Sequence, residues 1–237
     1  MKPYYKCMLA VHLENGTVAV RRIDPPRRPP GHALLRLIVA GICNTDLELQ
    51  RGYYGFRGTP GHEFVAEVVE AGDRSLVGKR VVGEINLACG HCDWCCKGLG
   101  RHCPSRSVLG IVSHPGAFSE YFTLPESNLH VVPDDLPSER AVFAKPLAAA
   151  CEILDQVTIP WGEQIAVLGD GKLGLLVAMH SKGNKGQAYI CESTLFQQMK
   201  PEFQVYNLPV LWIKAPPGQV LPEHDGCRLA NQVLLTP

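Results

Sequence analysis

Between Cys89 and Cys103 four cysteines share one loop, as Cys89-Gly-His-Cys92-Asp-Trp-Cys95 and then Cys103. Four thiolates on so short a loop can close a tetrahedron around a zinc ion. A metal with four protein ligands has no position left for water or substrate, so this one is expected to hold the loop in shape and do no chemistry. Cys96 adjoins Cys95 and competes for the third ligand position; two neighbouring side chains do not easily both point inward. Reactive or disulfide-forming cysteines are the competing explanation, which a reducing compartment disfavours.

The other cysteines, Cys7, Cys43, Cys151, Cys191 and Cys227, are scattered among the 237 residues. A lone cysteine is more often a small buried hydrophobe than a ligand, and only Cys43 has a context that lifts it above that. Lysine plus arginine equals aspartate plus glutamate, 23 against 23, so no overall field favours nucleic acid or an anionic membrane as a partner. No apolar run approaches the roughly 18 residues of a membrane span. The first residues lack the apolar core of a signal peptide, and a cytoplasmic location is expected.

The first half of the chain is strand-like. Apolar, β-branched runs at Met8 to His12, Ala33 to Val39, Phe64 to Val69 and Arg80 to Val82 are separated by glycine, proline and acidic turns, which suggests a small barrel or sandwich. Arg21 to Pro30, rich in arginine and proline, reads as a stiff, solvated turn without function. The character changes after Pro133: Ala141 to Val157 is helix-rich with Pro146 interrupting it. A strand at Gln164 to Leu168, a helix from Lys172 and a second strand at Gln187 to Cys191 then make a β-α-β unit. The fold class expected is therefore mixed β and α/β, with a first domain over 1–145 and a second over 146–237.

Two further constellations carry chemistry. Gly41-Ile-Cys43-Asn-Thr45-Asp46 ends an apolar strand, and Gly61-His62-Glu63 follows another turn. Cysteine, histidine and glutamate are the ligand types of a zinc that keeps an open position, although each residue alone has a bland explanation in the core. Gly169-Asp-Gly171-Lys-Leu-Gly174 follows the strand Ile165-Ala-Val-Leu168 and opens a helix, the context in which backbone amides approach a pyrophosphate. Glu192 stands near where a carboxylate would bond the adenosine ribose and favour NAD over NADP; a solvated loop glutamate is the alternative.

Through Cys43-Asn-Thr-Asp46, Gly61-His-Glu63 and the cysteine loop, the chain resembles the zinc-containing medium-chain alcohol dehydrogenases, the superfamily of sorbitol, threonine and glucose dehydrogenases. Gly116-Ala-Phe-Ser-Glu-Tyr121, Val132-Pro-Asp134 and Pro146-Leu-Ala continue the resemblance, which covers about residues 8 to 180. It implies a GroES-like β-barrel followed by a partial Rossmann domain, one structural and one catalytic Zn2+, NAD or NADP as cofactor, and hydride transfer to or from a small alcohol or carbonyl substrate. It further implies that Cys43, His62 and Glu63 bind the catalytic metal, that Thr45 relays the substrate proton and that Asp46 orients the histidine. Homo-oligomers are the family's habit.

Two residues depart from the family pattern. Lys145 precedes Pro146-Leu-Ala where relatives commonly carry glutamate at or near the zinc, and a cation there opposes a divalent metal. Glu48 stands where relatives often have a histidine that passes the proton to solvent. Glu152, on a helix about two turns past Lys145 and so roughly 10 Å away, is a remote substitute carboxylate. Ser193 to Pro237 does not read as the remaining strands and helices of a dinucleotide domain, although Val210 to Ile213 suits a strand. A truncated, fused or frame-altered dehydrogenase of poor solubility is expected, with a catalytically inactive, zinc-stabilised remnant or interaction module as the alternative. A hydrolase is disfavoured, since neither a G-x-S-x-G elbow nor a phosphate loop of correct spacing is present.

Overall fold

Asn15 and Gly16 both adopt positive φ, 49° and 75°, as a two-residue turn between twisted strands requires. They join β1 (Met8–Glu14) to β2 (Thr17–Ile23) in an antiparallel hairpin. The computed structural model describes residues 7–156, 164–168, 171–183, 187–191, 212–214 and 227–229, and its contacts divide the chain into two units, Met1–Lys145 and Pro146–Pro237. The stretch read from sequence as a turn from Arg21 begins differently. Arg21 and Arg22 lie in β2 opposite Ala10 and Leu9, because the Asn-Gly turn sets a register that carries the hairpin past them. Arg28, further on, pairs with Glu70 at 2.9 Å and bonds the His32 carbonyl.

The first unit is built on a five-stranded antiparallel sheet in the order β10-β5-β4-β3-β9. Its strands are β3 (His32–Gly41), β4 (Glu63–Glu70), β5 (Arg80–Gly83), β9 (Tyr121–Pro125) and β10 (Leu129–Val131). Between them in sequence come α1 (Asn44–Gln50), α2 (Asp93–Cys96) and a small sheet of β6 (Asn86–Leu87), β7 (Ser107–Leu109) and β8 (Ser113–His114). β4 is buried on both faces, which is why its sequence shows no polar alternation in its first half. Phe64, Ala66 and Val68 join Ala33, Leu35, Phe122 and Leu124 in the main core, where Phe64 meets Phe122 edge-on at 4.8 Å. Val65 faces the other way, onto Val132 and Ala141. β1 closes against the unit through Val11 and Leu13, whose amides donate to the carbonyls of Phe118 and Gly58.

Register then fixes the site. In the β3–β4 pair Gly41 stands opposite Glu63, so the chain leaving β3 toward Cys43 and the chain entering β4 through His62 meet at one end of the sheet. Gly61 makes that entry possible. Its φ is +101°, and a Cβ there would lie 2.5 Å from the Phe118 ring and 2.8 Å from the Phe118 amide nitrogen.

The helical segment expected over Ala141 to Val157 is two helices, α3 (Ser138–Ala141) and α4 (Ala144–Gln156); Val157 lies outside the described residues. Pro146 does not cause the break, which falls ahead of it. Proline sits in the first turn of α4, where an amide has no intrahelical acceptor and its loss costs nothing. In the second unit β11 (Gln164–Leu168), α5 (Lys172–Gly183) and β12 (Gln187–Cys191) form a β-α-β unit with parallel strands. β13 (Trp212–Lys214) and β14 (Cys227–Leu229) flank them antiparallel. Ala150, Val167, Val177 and Ala178 form this unit's core. Of the segment from Ser193 onward only β13 and β14 are described; β13 overlaps the expected strand at Trp212 and Ile213. Among the described residues no helix is long and apolar enough to cross a membrane.

Gly61→Ala is expected to destabilise the first unit by about 2–5 kcal/mol, the sum of a forced positive φ and overpacking against Phe118. The urea midpoint of the variant measures it, and an unchanged midpoint would show that the turn relaxes freely.

Candidate metal centres

The cysteine loop folds around α2. Gly90, at φ +80°, turns the chain after Cys89, Cys92 caps α2, and Cys95 follows one helical turn later. The sulfurs of Cys92 and Cys95 are 3.4 Å apart, those of Cys92 and Cys103 3.8 Å, and those of Cys89 and Cys95 3.9 Å. With zinc–sulfur bonds of about 2.3 Å, the edge of a tetrahedral site is about 3.8 Å, so the four sulfurs already outline one. A disulfide would need sulfurs about 2.05 Å apart, and all four cysteines are free. Cys96 settles outside the group, exposed, with its sulfur toward the His91 carbonyl at 3.8 Å.

Charge supports the same fit. The amides of His91 and Cys92 hold the Cys89 thiol down at about 6. Desolvation and the Cys92 sulfur push Cys95 up to about 12. Four sulfurs this close cannot all be thiolates without a cation among them, so metal loading here must expel protons.

A second group forms at the end of the β3–β4 pair. Ligand atoms of Cys43, His62 and Glu63 lie within 4.8 Å of one another. Cys43 is the residue before α1, whereas Glu63 begins β4 on the face that also carries Val65. Gly41 leaves room for the carboxylate, since a Cβ there would stand 2.8 Å from Glu63 Oε2. Thr45 places Oγ1 3.7 Å from the Cys43 sulfur. Asp46, itself buried, ties the two segments together. One of its oxygens accepts from the Cys43 amide at 2.8 Å and the other from the Gly61 amide at 3.2 Å.

His62 is 1% exposed, and neither ring nitrogen has a hydrogen-bond partner of good geometry. Its Nδ1 faces Asp46 Oδ1 at 3.4 Å, long for a hydrogen bond. A buried imidazole left unsatisfied costs about 1–3 kcal/mol, and a metal on one nitrogen would remove part of that cost. Burial pushes the imidazole pKa down, but Asp46 and the Cys43 sulfur outweigh it and carry it up to about 9. The Cys43 thiol is drawn below its ordinary value chiefly by His62, against burial, with Lys145 contributing. The donor set is thus that of a zinc with an open position.

Lys145 enters this group. Its Nζ stands 3.5 Å from Glu63 Oε1 and 3.9 Å from the Cys43 sulfur. The sequence alone marks this lysine as an obstacle to metal; its pairing with two of the expected ligands is visible only in the fold. Glu48 is exposed and paired with Arg51 at 2.6 Å, and Glu152 accepts from Gln156 on its own helix. Of the glycine turn, Gly171 and Gly174 are described, Gly174 being buried in α5; Gly169 and Glu192 lie outside the described residues. The Gly61 amide and the space at Gly41 were not singled out from sequence, although both glycines flank the motifs that were.

Asp46→Ala removes two charge-assisted hydrogen bonds from a buried carboxylate and is expected to lower stability by about 2–4 kcal/mol in chemical denaturation. Replacing the cysteines one at a time tests the loop. Cys92→Ser is expected to lose tightly held zinc and Cys96→Ser to keep it, read as metal content after dialysis; equal loss in both would contradict the sulfur geometry.

Residues 29–134 match the alcohol dehydrogenase GroES-like domain family. The L-threonine 3-dehydrogenase of Chelativorans sp. (strain BNC1) is 36% identical over 170 residues, 68% of this chain and 48% of that protein. The D-altritol 5-dehydrogenase of Agrobacterium fabrum is 34% identical over 180 residues, covering 72% and 53%. Among solved structures, the 2R,3R-butanediol dehydrogenase of Bacillus subtilis superposes with a TM-score of 0.69 at 30% identity, over 82% of this chain and 61% of that one. The chain spans about half the length of the curated relatives it matches. With a GroES-like domain, a cysteine cluster shaped for structural zinc and a separate cysteine, histidine and glutamate group, the chain belongs to the zinc-containing medium-chain alcohol dehydrogenase superfamily.

Proposed function

We propose that this chain is the catalytic part of a zinc-dependent oxidoreductase that moves hydride between an alcohol or polyol and NAD(P). The observation that carries the reading is the convergence of Cys43, His62 and Glu63, from two separate stretches of chain, on one point at the end of the β3–β4 pair. These three residues would hold the catalytic zinc, and Cys89, Cys92, Cys95 and Cys103 the structural one. Bound there, zinc would supply a Lewis acid for a substrate oxygen. Asp46 orients the His62 ring and fixes the Cys43 backbone, while Thr45, beside the Cys43 sulfur, offers a hydroxyl able to take and pass a substrate proton. Glu48 is in solvent and paired with Arg51, so a relay onward from Thr45 has to use another group or water.

The domains of this reading are 1–145, the GroES-like catalytic domain, and 146–237, part of a Rossmann domain with the segment from about 193 unassigned. The parallel β11-α5-β12 unit supports the second. Gly169, Gly171 and Gly174 would approach the cofactor pyrophosphate and Glu192 its ribose. The partner is a small alcohol or carbonyl compound and the location cytoplasmic.

A second reading, a zinc-stabilised module without turnover, is favoured by one observation, the ammonium of Lys145 among the ligands. NAD(H) titration by fluorescence, followed by turnover assays with threonine and short polyols in added zinc, separates the two. Cofactor binding with turnover that Cys43→Ala abolishes supports the dehydrogenase. Absence of cofactor affinity and of turnover overturns it in favour of the module.

A further inference from the structure

We infer that the Lys145 ammonium and a metal ion are alternative occupants of the Cys43, His62 and Glu63 group, so that metal enters only as the lysine side chain leaves. The inference rests on the reading of these three residues as a metal site. Around a tetrahedral ion with bonds of about 2.0–2.3 Å, neighbouring donor atoms stand about 3.3–3.8 Å apart. Nζ of Lys145 lies 3.5 Å from Glu63 Oε1 and 3.9 Å from Cys43 Sγ, close to the spacing of a further corner of the same polyhedron. An ion inside that polyhedron would therefore stand about 2 Å from the ammonium, a contact that like charges in a partly buried pocket do not tolerate.

The lysine also has a favourable role when no metal is bound. Cys43, Glu63 and Asp46 bring acidic groups together around a buried imidazole, and Lys145 is the cation that faces Glu63. Its side chain is 29% exposed, which leaves a path to solvent. Displacing it breaks the ion pair with Glu63 and returns the ammonium to water. That exchange is expected to weaken metal binding at this group by about 10- to 100-fold relative to a chain with a neutral residue at 145. The four-cysteine loop closes within one segment and is expected to keep its metal.

Cobalt(II) titration of protein dialysed to retain its tightly held zinc reads the second group through the thiolate-to-cobalt absorption band. Wild type and Lys145→Arg are expected to bind cobalt weakly, and Lys145→Leu and Lys145→Gln about 10- to 100-fold more tightly, with Cys43→Ser in the Lys145→Gln background removing the band. Circular dichroism and zinc retained at the cysteine loop report folding; two neutral variants are used so that one poorly folded protein does not decide the matter. If wild type binds cobalt as tightly as the folded neutral variants, and Cys43→Ser abolishes that binding, the inference is overturned while the metal site stands. If no folded variant binds a second ion, the metal-site reading fails and the inference falls with it.

Discussion

The carboxylate of Asp46 holds the candidate site together. It accepts the Cys43 amide at 2.8 Å and the Gly61 amide at 3.2 Å, so one buried acid fixes the residue that ends one arm of the site and the turn that begins the other. A buried carboxylate needs such donors to be tolerated at all, and here the donors are the backbone amides of the segments that carry Cys43 and His62. The positive φ of Gly61 then aims that amide at Asp46 and brings the following imidazole into the interior.

The two candidate metal groups of the first unit are assembled by different means. The cysteine loop is local: a glycine turn, one turn of helix and a short return bring four sulfurs to tetrahedral spacing within a single segment. The second group is long-range, since it depends on the pairing of Gly41 with Glu63 across two strands and on a lysine that arrives more than eighty residues later at the start of α4. Local closure costs little chain entropy and is insensitive to the rest of the sheet. A site built from sheet register answers to every contact that sets the register, including the core around Phe64 and Phe122.

Much of the strand pattern was legible. The runs beginning near Met8, Ala33, Phe64 and Arg80 are strands, because β-branched and apolar residues between turn signals can bury only in extended form. β2 is less legible, since its arginines read as a solvated turn and only the Asn15-Gly16 turn pairs them with β1. From sequence Pro146 reads as a helix breaker, and it is instead a first-turn residue of α4; a proline's effect depends on its distance from the helix start, which the sequence alone does not fix.

Spacing by itself determined the cysteine loop, as ligands so close in sequence have few ways to be far apart in space. It also named Cys43, His62 and Glu63 as the right chemical types, without the distances among them. Only the tertiary structure decided that Cys95 and not Cys96 joins the sulfur group, that Asp46 bridges two backbones, and that Lys145 sits against Glu63 and Cys43. Those outcomes turn on side-chain direction and strand register, which arise when distant segments pack and are not properties of any one stretch of sequence.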